Sequence, residues 1–109
     1  MATTYKVLGQ ASPTSNADTD LYTVPASTQA VISSIVICNR DSSNNTFRIA
    51  VRPAGEASAN QHYISFDTDV PARDTISLSL GMSLGNTDVI TVNTMTGNVS
   101  YSLFGAEIS

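Results

Sequence analysis

Tryptophan is absent from this 109-residue chain, and cysteine, histidine and lysine occur once each, as Cys38, His62 and Lys6. Each scarcity removes a class of reading. A lone cysteine forbids an intrachain disulfide, and at the end of an apolar run it reads as a small packed hydrophobe. One Cys and one His leave too few soft ligands for a structural zinc site. A Ser-His-Asp or Cys-His arrangement would have to use His62. The chain has no G-x-S-x-G elbow and no glycine-rich loop leading into a helix. His62, next to Tyr63 at the start of a strand, therefore reads as a surface or interface residue. Glu56 and Glu107 are the only glutamates, and no aromatic platform accompanies them, which argues against paired-carboxylate glycoside chemistry. No residue is assigned a catalytic, cofactor or metal role, and the chain is not expected to be an enzyme.

Charge is also scarce. Charged residues make up 13% of the chain and the net charge is -4. An acidic chain with so few cations is a poor nucleic-acid binder. No apolar run approaches the roughly 18 residues of a membrane span. The start, "MATTYKVLGQASP", lacks a basic stretch followed by an apolar one, so it does not read as a signal peptide. Asp18-Thr19-Asp20 and Asp67-Thr68-Asp69 place loop carboxylates two apart, as calcium sites do. The twelve-residue calcium loop is missing, and Asp is also a common turn residue.

What is present is a strand-forming pattern. Hydrophobic residues make up 41%, enough for a core in one domain spanning 1–109. Short apolar runs recur about every 8–12 residues between turn signals, the signature of an all-β sandwich or barrel. The runs are Tyr5–Leu8, Leu21–Val24, Ala30–Cys38, Thr46–Arg52, His62–Asp67, Ile76–Leu84, Val89–Asn93 and one opening at Val99. Residues 1–20 could be an extended N-terminal arm or hold a first strand. Ile76, Leu78, Leu80, Met82 and Leu84 alternate with small polar residues and give the strongest core signal. Val31, Ile35 and Ile37 share one parity while Ile32, Val36 and Cys38 share the other, which predicts a central strand or one whose outer face meets another chain. Phe47, Ile49 and Val51 alternate cleanly with Arg48 and Arg52, so the arginines face outward. The small-residue stretch 54–60 is long enough to cross between sheets. The expected fold is a two-sheet antiparallel β-sandwich, jelly-roll or immunoglobulin-like, of about eight strands.

Four of the five basic residues are Arg40, Arg48, Arg52 and Arg73. Arg48 and Arg52 share a face. One reading is a solvated face with local acidic partners. The other is an interface, because planar guanidinium groups make bidentate contacts with a neighbour's carboxylates. Arg40, Arg48, Arg52 and Tyr63 are the interface candidates.

The stretches "LYTVPA" (21–26), "CNR" (38–40), "FRIAVRP" (47–53), "NQHYISFDTDVPARDTISLSLGMSL" and "SLFGAEIS" resemble small virion structural proteins of tailed bacteriophages, particularly those of cyanobacterial and marine hosts. The resemblance covers about Leu21 to Ser109. It implies a non-enzymatic particle component, made in a bacterial host's cytoplasm and located in the virion. The favoured role is a capsid decoration (cement) protein binding across major capsid subunits, as a homo-oligomer with a trimer favoured. The alternative is a neck, tail, baseplate or fibre-attachment component. A receptor- or glycan-binding module ranks lower and would need either an exposed aromatic platform, for which Tyr22, Tyr63 and Tyr101 are the candidates, or a calcium site on a loop.

Overall fold

Wherever the sequence alternates apolar and polar residues, the chain is extended and paired. The computed structural model describes residues 2–109, and the side chain of Leu80 lies outside that description, with its part in the core signal. Eight strands run in order: β1 (Thr3–Ala11), β2 (Thr19–Thr23), β3 (Gln29–Asn39), β4 (Asn45–Arg52), β5 (Tyr63–Val70), β6 (Thr75–Leu84), β7 (Val89–Thr94) and β8 (Val99–Ile108). The only helical pieces among the described residues are 3-10 turns at Pro53–Gly55 and Asn60–His62.

The strands pair as if one long hairpin had been wound up. β1 lies against β8, β2 against β7, β3 against β6 and β4 against β5, all antiparallel. Winding produces two four-stranded sheets: sheet A, ordered β1-β8-β3-β6, and sheet B, ordered β2-β7-β4-β5. This order makes the sandwich a jelly roll. Every connection crosses from one sheet to the other except β4 to β5, whose strands are neighbours in sheet B. The small-residue stretch 54–60 therefore does not change sheets, contrary to its length-based reading.

The core lies between the sheets. Ile32, Ile35, Ile37, Val99, Tyr101 and Leu103 come from sheet A; Leu21, Phe47, Ile49, Ile90 and Val92 come from sheet B; all are buried. Complete burial of each such side chain is worth roughly 1.5–3 kcal/mol. The two apolar parities of β3 have a local cause. The pairing register shifts between Ile32 and Ser34 on both sides of the strand. Ala30 and Ile32 point inward before the shift, Ile35 and Ile37 after it. A β-bulge adds one residue and reverses the facing of all that follow. β3 is also central, as expected.

Of the two alternatives for the N-terminal segment, the first strand read at Tyr5–Leu8 is present and extends over residues 3–11 along β8. One other expectation changes. β6 alternates as read, yet it is an edge strand, and Ile76, Leu78 and Met82 are only half-buried.

Candidate functional site

The outer face of sheet B carries the interface candidates Arg48, Arg52 and Tyr63. Antiparallel register sets Arg48 across from Asn93 and Ala50 across from Thr91 and Tyr63. Arg48 makes a two-pronged contact with Asp67, Nε to Oδ1 at 2.6 Å and Nη2 to Oδ2 at 3.2 Å. Its guanidinium carbon lies 4.1 Å from the centre of the Phe66 ring, a cation–π geometry. Phe66 meets Tyr63 edge to face, with ring centres 4.9 Å apart. Asp67 is set for this by a left-handed turn at φ 51°. The Arg48 hydrogen bond holds the Asp67 carboxyl below the usual carboxylate range. Asn60, Tyr63 and Phe66 line an open depression beside this ridge.

Arg52 plays a different part. Its Nη2 donates to Asp20 at 2.8 Å, its Nε to Thr91 at 3.0 Å, and its Nη1 to the Glu56 carbonyl at 3.0 Å. It ties β4 to β2, β7 and the following loop, and its side chain is mostly covered. Arg40 lies away from both, at a loop corner, donating to Ser100, Ser12 and the Gly97 carbonyl. The four candidates do not form one cluster. Arg48 and Tyr63 belong to the ridge, while Arg52 and Arg40 brace the chain's own loops.

His62 is buried, where the sequence suggested a surface position. Its Nδ1 accepts the Ala59 backbone N–H at 3.2 Å, which leaves Nε2 to carry the proton toward Glu56 at 3.3 Å. It fastens the β4–β5 loop. The two Asp-Thr-Asp stretches lie at the start of β2 and within β5, opposite edges of sheet B. Asp20 is engaged by Arg52, Asp67 by Arg48, and Asp18 accepts from Asn93. Among the described residues no group of three or more His, Cys, Asp or Glu could hold a metal ion. Of the tyrosine platforms, Tyr22 and Tyr101 are buried and only Tyr63 keeps an accessible ring.

Sequence reasoning missed Asn39. It is buried, and its amide donates to the carbonyls of Ser43, Val70 and Pro71. Its Oδ1 accepts from the Asp41 N–H and from Asn45, which in turn accepts from Thr96. Asn39 thus closes two loops directly, and Asn45 joins a third to them, at the end of the sandwich. The run "NRDSSNN" signalled a turn; nothing local revealed that its first Asn points inward.

At the other end, Glu107 accepts the Tyr22 hydroxyl at 2.5 Å and pairs with Lys6 at 2.9 Å. These contacts, the Tyr22 hydroxyl foremost, hold its carboxyl below the usual range. The folded chain therefore binds fewer protons than the unfolded one here. The stabilisation is complete above the unfolded glutamate value, about 4.3, and fades as pH falls through the folded value. Glu107→Gln should flatten the acid limb of a plot of melting temperature against pH; an unchanged limb would assign the acid sensitivity elsewhere.

No protein-family model matches this chain, and no curated protein matches it.

Proposed function

We propose that this chain is a non-enzymatic structural protein of a tailed-phage virion, a decoration protein that binds across major capsid subunits and stabilises the head. The resemblance to small phage virion proteins supplies the setting. The observation that carries the reading is that a rigid sandwich presents two different contact surfaces on opposite sides. Sheet B offers the Arg48–Phe66–Tyr63 ridge, with Phe66 and Ile64 about half exposed at a sheet edge. Sheet A offers a broad face without charged strand residues. A protein that binds only the assembled shell stabilises it by linkage, with no chemistry required.

In this reading the ridge meets the capsid. Arg combined with aromatic rings is the composition of binding hot spots, and exposed ion pairs such as Arg48–Asp67 contribute little to the fold itself. Heads purified without this protein should gain heat resistance when it is added back. Arg48→Ala and Phe66→Ala should melt close to wild type yet bind those heads at reduced occupancy. Heads that take up none of the wild-type protein would overturn the decoration role. Full occupancy by both variants would remove the ridge from the contact. Arg52→Ala is the wrong probe, because Arg52 braces three elements of the fold.

A further inference from the structure

The two outer faces of the sandwich differ in how the chain itself covers them. The outer face of sheet B is padded. Ser58 of the β4–β5 loop lies beside Arg48, Ala50 and Thr91, the Glu56 carbonyl accepts from Arg52, and Ala50, which points outward, is buried. Among the described residues the outer face of sheet A is the more open: Tyr5, Val7 and Val31 are exposed on it, although Ala106 between Tyr5 and Val31 is buried. The ladder rows of this face can be read across all four strands: Tyr5, Ala106, Val31 and Ser83; Val7, Phe104, Ser34 and Ser79; Gln10, Ser102, Val36 and Ser77. Ser100, Cys38 and Thr75 extend it at one end, and Thr3, Ile108 and Gln29 at the other.

None of these residues carries a charge. The alternate rows point inward and contain the core residues Ile32, Ile35 and Ile37, together with the Lys6–Glu107 pair. Among the described residues Arg40 reaches the outer face at one corner, through Ser100 and Ser12. From the β1 edge inward to β3 the face is apolar: Tyr5 is 83% exposed and Val7 48% on the edge strand, Val31 is 40% exposed on β3, and Phe104 lies on β8 between them. Small serines surround them. Grouped exposed apolar residues within a polar rim mark contact surfaces.

We propose that this face pairs with the same face of a second copy, joining two sandwiches through their A sheets. The occupant follows from charge and area. The chain's net charge is -4, so two copies meeting through most other surfaces would oppose like charges. The strand rows of sheet A are the broad surface on which self-contact avoids that. Four strands about 4.8 Å apart and roughly ten residues long at about 3.4 Å each present about 600 Å². Two such faces bury on the order of 1,200 Å², the lower limit for a stable, specific interface. Twisted sheets pack face to face through rows of small and branched side chains like these. The contact is isologous, so the product is a two-fold dimer, in place of the three-fold assembly implied by the resemblance. This inference fills the sheet A face to which the capsid reading gives no partner, and it is tested on the isolated chain, so its failure would leave the contact between ridge and capsid standing.

Sedimentation velocity of the purified full chain at tens of micromolar should give twice the 11.5 kDa chain mass. Tyr5→Glu changes a highly exposed ring, and Val31→Lys keeps an apolar stem on the strand. Each should convert the dimer to monomer by burying an unpaired charge in the uncharged contact, with a cooperative melt retained. Phe66→Ala, on the opposite side, should remain dimeric. A wild-type monomer or trimer at these concentrations would overturn the proposal, as would well-folded Tyr5→Glu and Val31→Lys variants that both remain dimeric.

Discussion

Replacing Asn39 with alanine is expected to lower the free energy of unfolding by about 3 kcal/mol, measured as a shift in the urea midpoint at constant slope. The residue is 1% exposed. Truncation removes the donor facing the Val70 and Pro71 carbonyls and the acceptor facing Asn45. Buried polar groups left unpaired cost about 1–3 kcal/mol each, and water entering the corner recovers part of that. Asn39→Asp sharpens the test. It preserves size and one acceptor, but sets a carboxylate oxygen where three carbonyl oxygens now receive an N–H. If hydrogen bonding rather than volume holds the corner, Asp should be no better tolerated than Ala. A loss below about 1 kcal/mol for both would show that the loops close without this side chain.

Gly105→Ala should be comparably damaging for a steric reason. A Cβ at Gly105 would fall 2.1 Å from the Val31 carbonyl oxygen and 3.1 Å from a Leu8 methyl. The oxygen belongs to the neighbouring strand's backbone and cannot rotate aside. β8 and β3 must separate, which loosens the centre of sheet A. Overpacking of this kind costs about 1–3 kcal/mol, and more where the backbone must move. The expected loss is at least about 3 kcal/mol, or failure to fold. Gly97 is the internal control, since its nearest neighbour would be the Pro13 carbonyl oxygen at 3.8 Å. Gly97→Ala should leave the urea midpoint near wild type; equal effects at both positions would refute the close-approach account.

Both effects arise from long-range pairing, which marks the limit of what was legible in the sequence. Period-two alternation revealed the strands and the inward set Phe47, Ile49 and Val51, because facing is a local property of an extended chain. It showed a first strand only at Tyr5–Leu8 and not its full length, Thr3–Ala11, since the polar residues at its ends are recruited by pairing with β8. The parity switch in β3 was visible as apolar residues on both faces, but its cause, the bulge at Ser33, depends on both neighbouring strands. β6 looked like the best core strand and lies at an edge; strand order is set by winding, on which the alternation is silent. For the candidate site, the outward facing of Arg48 and Arg52 was legible. Their separation into a ridge residue and a brace was not, because Asp67, Asp20 and Phe66 reach them from distant strands.

In the proposed role, the uncharged face of sheet A and the ridge on sheet B would serve as the two directions of contact that a bridging protein requires. Copy number per particle tests this account most directly, by quantitative mass spectrometry of purified virions against the major capsid protein. Hundreds of copies, at a fixed ratio to the capsid subunits, are predicted. A dozen or fewer would contradict decoration and place the protein in the neck, tail or baseplate.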